Sequence, residues 1–430
     1  MTEPSLQALR EARDALDAVI EEIQAVPGFK TFLAPPDFDD IAAAAEDPVV
    51  YLAAADPGGL ALIVRGDVVV DIDLPGLTRA ALAERVQAYR VAYDAYRADP
   101  QAGRADWERA LSEVTDWLWQ EAMGRVVDEL LGARAAVLAD PPRVFLVPGG
   151  LLGLLPLHAA WRPDASRPTG REHVLDLLQI AYIPNAQALS AAREKAKAVT
   201  GRRVFAVAAP SRAAGLPMTG VEARAARLAF PDGHIGRRRT SEEFLLQIRA
   251  ADVVHVACHG LADLDEPLNS RLELAPGEDV TLGTLMAQEL TVRLAVLSAC
   301  ETLLPGTDLP DEVVALPTGL IQAGAAGVLA SMWAVPDLAS AMLMIEFYGF
   351  WRERPDDPGS ALRLAQIWLR DTPERERVRR YQAATRGQGW PPPRIADEVL
   401  TALAATSGAD PADHPLDGLS GWAAFAHVGV

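Results

Sequence analysis

The sequence is poor in cysteine and has no long uninterrupted hydrophobic run. Two cysteines among 430 residues argue against a secreted, disulfide-stabilised scaffold. Apolar stretches such as LVPGGLLGLLPL are too short and too rich in glycine and proline to span a bilayer. The charged N-terminus, MTEPSLQALREARDAL, lacks the apolar core of a signal peptide. These absences predict a cytoplasmic protein.

Positive charge is also scarce, because 40 Lys and Arg stand against 59 Asp and Glu and give a net charge of −19. A uniformly acidic surface repels phosphate backbones and anionic lipid, which disfavours nucleic acid and membranes as partners. It can attract a basic peptide or simply keep the protein soluble. Hydrophobic residues make up 50% of the chain, which excludes a disordered protein and allows a sizeable core.

Short apolar segments alternate with helical patterns in the larger part of the chain. The predicted strands cover residues 143–148, 178–184, 202–210, 252–258, 293–300, 326–333 and 422–430. Such alternation is typical of an α/β fold with a mostly parallel sheet and helices on both faces.

Other patterns surround this alternation. The N-terminal 1–30 segment has the apolar spacing of a helix, 49–74 reads as a β-meander, and 77–139 as two long packed helices. The charged and turn-rich segment 375–420 is interpreted as a surface insertion before the final strand.

Two of the predicted strands end in residues with catalytic chemistry. The strand DVVHVAC is followed by His259 and Gly260, and the strand RLAVLSAC ends on Cys300. Ligands bind beyond the carboxyl ends of strands in an open parallel sheet. If the two strands are neighbours, the His259 imidazole can stabilise the Cys300 thiolate or take its proton. The backbone N–H groups of Gly260 and Cys300 could stabilise an oxyanion.

Other interpretations of these residues exist. Cys300 and His259 could be ordinary core residues, because cysteine is among the most buried residue types. His255, Cys258 and His259 offer zinc ligands, but a strand places the two histidines ~13 Å apart and points Cys258 to the opposite face. A Cys258–Cys300 disulfide is disfavoured in the cytosol, and Cys258 is expected to be a buried neighbour of the site.

Several segments together resemble the CHAT domain family, caspase-like peptidases related to separases. HVACHG resembles the family's histidine strand and LAVLSACET its cysteine strand. LPTGLIQAGAAGVLASMWAVPD resembles the helix, strand and turn after the cysteine, VFLVPGGLLGLLPLHAAW and IAYIPNAQAL the amino-terminal half, and GWAAFAHVGV the terminal strand. The resemblance implies a caspase-like sheet over 201–430, preceded by a related non-catalytic α/β half over 45–200 and a helical segment over 1–44.

The resemblance also implies roles for single residues. His259 matches the catalytic histidine and Cys300 the nucleophile, although Thr302 stands where caspases place a glycine, which weakens any transfer of their specificity for aspartate. Asp337 matches the acidic position in the pocket for the residue before the cut, where it would favour Arg or Lys. Alternatively, Asp337 caps the helix that begins after it.

Asp308 and Glu312, in the loop after Cys300, are further candidate substrate-binding residues. Solvated loop residues are the simpler interpretation of both.

The implied activity is that of a regulated cysteine endopeptidase that cleaves specific protein partners without a cofactor. Only a short helix precedes the domain, which favours activation by a separate sensor or activator protein, in a bacterial defence or cell-death pathway. Two alternatives remain. One is a non-catalytic interaction module on the same fold, in which the pair of His259 and Cys300 would tend to be lost. The other is an esterase or acyltransferase that uses the same two residues.

Overall fold

The structure is a computed structural model. It describes residues 6–27, 37–132, 140–199, 201–208, 216–236, 240–263, 266–299, 315–406, 416 and 418–430. In these ranges, no helix combines the length and the apolar character that crossing a membrane requires.

The strands of the described residues form one large sheet and two small ones. They are β1 (Val49–Ala53), β2 (Gly59–Arg65), β3 (Val68–Leu74), β4 (Arg143–Pro148), β5 (Trp161–Pro163), β6 (Arg171–His173), β7 (Gln179–Tyr182), β8 (Val204–Ala208), β9 (His234–Ile235), β10 (Val253–Ala257), β11 (His259–Leu261), β12 (Arg271–Ala275), β13 (Glu278–Thr281), β14 (Leu294–Ser298), β15 (Gly327–Ser331) and β16 (Phe425–Gly429).

Helices cover both faces of the large sheet and extend from its edge. They are α1 (Leu6–Gln24), α2 (Phe38–Ala44), α3 (Arg79–Ala98), α4 (Pro100–Leu118), α5 (Gly124–Leu131), α6 (Val174–Leu177), α7 (Ala186–Ala198), α8 (Thr219–Ala229), α9 (Ser241–Ala250), α10 (Leu282–Met286), α11 (Leu316–Ala323), α12 (Asp337–Trp351), α13 (Pro358–Asp371), α14 (Glu374–Thr385), α15 (Pro393–Thr406) and α16 (Leu419–Trp422). A π-helical turn, Trp119–Met123, joins α4 to α5.

The large sheet has eleven strands in the order β3-β2-β1-β4-β7-β16-β15-β14-β10-β8-β9. The predicted α/β class with a mostly parallel, helix-flanked sheet is confirmed. All five residues of β8, of β10 and of β15 are buried, because a parallel strand with helices on both faces has no solvated side. That explains their continuous apolar sequences.

The last strand, β16, joins the two halves of the large sheet. β16 pairs antiparallel with β15 and parallel with β7. The strands β8, β10, β14 and β15 therefore run in one direction and β1, β4 and β7 in the other. The carboxyl ends of the two groups lie at opposite rims of one continuous sheet, across the boundary expected at residues 200 and 201.

Two parts of the structure differ from the sequence-based expectation. The segment 375–420 is not simply a surface insertion, because α14 and α15 pack against each other and bury apolar side chains, among them Tyr381, Ile395 and Val399. Most of their charged residues lie on the outer faces and hide this pattern, although Arg377 is buried. The sequence also contains no sign of the three-stranded sheet β11-β12-β13, since its strands are only three to five residues long.

Candidate active site

The strands that carry the predicted catalytic residues are neighbours. β10 and β14 pair in parallel, with Ala257 opposite Ser298. The ladder continues beyond this pair, because the Cys258 N–H donates to the Ser298 carbonyl at 3.3 Å. His259 stands two residues after Ala257, and Cys300 stands two residues after Ser298. The register therefore meets the condition stated for the pair, because the chain segments that lead to His259 and to Ala299 lie at the same rim of the sheet.

His259 is half-buried and is the first residue of β11. This short strand leaves the large sheet and pairs antiparallel with β12, which sets His259 opposite Glu273 and Gly260 opposite Leu272. The small sheet thus fixes the backbone at the histidine. Cys300, Asp308 and Glu312 lie outside the described residues.

The residues just before Cys300 are anchored on both sides. The Ser331 hydroxyl, at the end of β15, donates to the Ala299 carbonyl at 2.6 Å. The Ser298 hydroxyl lies 2.9 Å from that of Ser340 in α12. Cys258 is buried, as predicted, and its thiol donates to the His259 carbonyl at 3.3 Å. The rim is therefore held by hydrogen bonds up to residue 299.

The N-terminal part of the chain supports the turn that leads to Asp337. The Tyr93 hydroxyl of α3 accepts a hydrogen bond from the Ala334 N–H at 2.8 Å. Trp107 of α4 contacts the buried Trp333 edge-on, with 5.7 Å between the ring centroids. Helices far away in sequence thus position one wall of the site.

A cavity of about 30 Å³ opens beside Ala299 at this rim. Its polar lining consists of two carboxyls and several hydroxyls, from Glu222, Asp337, Thr219, Ser298, Ser331 and Ser340. Among the described residues, no lysine or arginine lines it. A cavity that offers two carboxyls and no cation suits a positively charged group.

Asp337 lies where the sequence predicted, just past the strand beside β14. It is the first residue of α12 and follows the N-cap residue Pro336, so it does not occupy the capping position that the alternative assigned to it. Instead Oδ2 accepts a hydrogen bond from the Met218 N–H at 2.8 Å. Burial raises the pKa of Asp337 to about 6, against the lowering effect of that bond.

Glu222 is a site residue that sequence reasoning missed. It lies in the first turn of α8 and is only 1% exposed. Burial raises its pKa to about 8, hydrogen bonding from Ser298 and Ser340 opposes the rise, and the charge of Asp337 adds to it. The surrounding sequence, TGVEARAARLAF, reads as an ordinary amphipathic helix, and only its burial beside two strand ends distinguishes this glutamate from solvated ones.

His255 is a buried neighbour of Glu222. Its Nε2 lies 3.7 Å from Glu222 Oε2, beyond hydrogen-bond range, and its Nδ1 lies 3.1 Å from the Tyr348 hydroxyl. Complete burial lowers the pKa of His255 to about 3, so the ring is neutral. Within the described ranges, no group of three or more His, Cys, Asp or Glu side chains could hold a metal ion.

Three features of the described residues lie together at this rim. One rim carries a half-buried imidazole, the segment that leads to a cysteine, and an acidic cavity next to that segment. An imidazole beside a thiol can generate a thiolate and later protonate a leaving group.

Comparisons with known proteins identify one family model and several solved structures that the chain resembles. The CHAT domain family model matches residues 110–430. No curated protein matches the chain. Saccharomyces cerevisiae separase, in a complex with securin, is similar in structure with a TM-score of 0.49 and 9% identity over 91% of this chain and 30% of that chain. The chain thus spans about 30% of the length of that separase.

A second similar structure is the Arg-specific cysteine proteinase gingipain R. Its TM-score is 0.40, with 9% identity over 78% of this chain and 75% of that one. A complex of the pro- and mature domains of Porphyromonas gingivalis RgpB gives a TM-score of 0.36, with 10% identity over 75% of this chain and 68% of that chain.

Proposed function

The chain belongs to the CHAT domain family, whose model covers more than half of it, and on that premise we propose that it is a regulated cysteine endopeptidase. Cys300 is the nucleophile, and His259 is its acid–base partner. The observation that carries the proposal is the register of β10 and β14, which sets Ala257 opposite Ser298 and so directs both segments to one rim.

The reaction proceeds in two balanced steps. His259 takes the proton of the Cys300 thiol, the thiolate sulfur bonds to the peptide carbonyl carbon, and the C–N bond breaks as His259 gives its proton to the leaving amine. Water then attacks the thioester with His259 as base, and the carboxylic acid and the free thiol are released. The N–H groups of Gly260 and Cys300 stabilise the oxyanion in both steps.

Substrate preference follows from the acidic cavity beside residue 299. Asp337 lines it, and no described cation does. A basic residue before the cleaved bond therefore fits best, through a charge-assisted hydrogen bond to the Asp337 carboxylate. Asp308 and Glu312 would border the same cleft. The enzyme cleaves specific protein partners and is activated by a separate protein, within a bacterial defence or cell-death pathway.

Cleavage of a positional library of fluorogenic peptides tests this function. Wild type should cleave, with Arg or Lys before the cut, and Cys300→Ala and His259→Ala should each lose at least roughly 100-fold in kcat/KM. His234→Ala is the matched control, because His234 is exposed and lies at the far edge of the sheet on β9.

A peptidyl chloromethyl ketone, which alkylates a thiolate with loss of chloride, provides a second readout that needs no turnover. The chain has two cysteines, and Cys258 is buried, so peptide mapping should place the label on Cys300 alone. Equal cleavage by wild type and Cys300→Ala, or labelling of Cys258 alone, would contradict the mechanism.

A further inference from the structure

Glu222 is a buried carboxyl, and the described groups around it include no lysine or arginine. Its Oε2 has no hydrogen-bond partner among the described residues, and neither has the facing His255 Nε2. A buried polar atom without a partner costs free energy, so its retention calls for a second role. Glu222 lines the same cavity as Asp337.

We propose that Glu222 is a specificity-determining residue that, together with Asp337, forms a two-carboxyl pocket for the guanidinium of an arginine before the cleaved bond. The inference rests on the proposed function, because it assigns the binding pocket of that same site. It goes further in adding a second acidic wall and in preferring arginine to lysine.

The position of the cavity supports this assignment. Ala299, the residue before the candidate nucleophile, lines the cavity together with Ser298. A side chain that enters it therefore belongs to the substrate residue whose carbonyl faces Cys300. The volume of about 30 Å³ restricts the occupant to the head group of one side chain.

The donor and acceptor count favours a guanidinium. Its planar fork carries five N–H donors, whereas an ammonium has three. One carboxylate cannot accept all five, but Asp337 lines the cavity from α12 and Glu222 from α8, and the Ser298 and Ser340 hydroxyls line it as well. A lysine ammonium has three donors for the same acceptors, so it would leave more of them without a hydrogen bond.

Binding should also change the protonation of the pocket. The groups that face Glu222 are the neutral His255 from β10, Ser298 from β14, and Asp337, Ser340 and Tyr348 from α12. Because burial raises the pKa of Glu222 to about 8, it is mostly protonated at pH 7 while no cation is bound. A bound guanidinium favours the carboxylate, so the O–H bond breaks and the proton passes to the solvent.

Titration calorimetry on the full chain carrying Cys300→Ala tests the proposal without turnover. The probes are a blocked tetrapeptide that ends in arginine amide and its lysine and citrulline counterparts, at pH 7 in buffers of different ionisation enthalpy. We expect the arginine peptide to bind at least roughly 10-fold tighter than the other two, with net release of protons.

Added to this background, Glu222→Gln should weaken arginine binding roughly 10-fold and abolish most of the proton release. Gln imitates the protonated acid, so folding should be retained, which circular dichroism checks. Glu222→Asp keeps a carboxyl and should retain part of the proton release. Asp337→Asn should weaken arginine binding while the remaining proton release still depends on Glu222.

The outcomes separate the two proposals. Unchanged arginine affinity and proton release in Glu222→Gln would overturn the role of Glu222, as would equal affinity for all three peptides or no binding. Loss of arginine binding in Glu222→Gln, together with equal peptide cleavage by wild type and Cys300→Ala, would support the pocket and refute the proposed endopeptidase mechanism.

Discussion

Two buried glutamates have opposite electrostatic surroundings. They lie on α8 and α12, two helices that pack against each other. Glu346, in the middle of α12, is 0% exposed and bonds Arg380 of α14, whose Nε lies 3.1 Å from Oε1. Glu222 is 1% exposed and faces a neutral histidine and a second acid instead. Burial raises the pKa of both, but Arg380 opposes the rise at Glu346.

The difference separates structural from functional burial of charge. A buried carboxylate is tolerable when a cation and hydrogen bonds compensate its lost hydration. Arg380 does this for Glu346 and thereby ties α14 to α12. The lost hydration of Glu222 is compensated only in part, and Glu222 lines a cavity. We interpret the missing cation as the part that a substrate supplies.

The largest effect on stability is expected at the paired glutamate. Arg380→Met leaves Glu346 buried without its cation and should lower the free energy of unfolding by roughly 3 kcal/mol at pH 8. The loss should shrink at pH 6, because the carboxyl of Glu346 can then protonate. Urea unfolding at the two pH values measures this.

The control for that experiment is Arg109→Met. Arg109 pairs with Asp106 on the surface, where the two side chains are 62% and 63% exposed. Exposed ion pairs contribute little, so the change should stay within about 0.5 kcal/mol. Equal losses for the two variants would mean that burial does not distinguish the pairs.

A smaller effect, with a characteristic pH dependence, is expected at the unpaired glutamate. Since the folded-state pKa of Glu222 is raised to about 8, the folded state holds a proton that the unfolded chain has lost between about pH 4.3 and 8. Stability therefore falls as pH rises through this window, by roughly 1 kcal/mol per pH unit. Glu222→Gln removes this loss.

The measurement is the difference in unfolding free energy between Glu222→Gln and wild type at pH 5.5, 6.5, 7.5 and 8.5. Taking the difference cancels the contributions of the other titrating groups. We expect the variant to gain steadily up to about pH 8 and then level off. A difference independent of pH would show that Glu222 is already ionised in the folded protein.

The smallest effect concerns the tyrosine beside each glutamate. Tyr348→Phe removes the partner of His255 Nδ1 and leaves both ring nitrogens without hydrogen bonds among the described residues, which should cost about 1–2 kcal/mol. Tyr381→Phe leaves Glu346 with Arg380 and should cost about 0.5–1 kcal/mol. Thermal unfolding of both variants compares them; the reverse order would contradict the comparison.

Much of the fold was predictable because its strands are buried on both faces. The continuous apolar runs of β8, β10, β14 and β15 can hardly be anything but central strands, and all four were predicted. Segment 375–420 was misread because α14 places its apolar residues among many charges, with Tyr381 and Ala384 buried between arginines. Very short strands such as β11 depend on their partner and leave no local signal.

The sequence alone determined the class of the protein. Its motifs around His259 and Cys300 are local, they come directly after strands that hydrophobicity reveals, and together they indicated the CHAT domain family. Only the tertiary structure showed that Glu222, 115 residues before Asp337 in the sequence, lines the same cavity. The physical reason is that burial and neighbouring charges depend on distances in space, and a glutamate on an amphipathic helix looks the same in sequence whether it faces water or a second carboxyl.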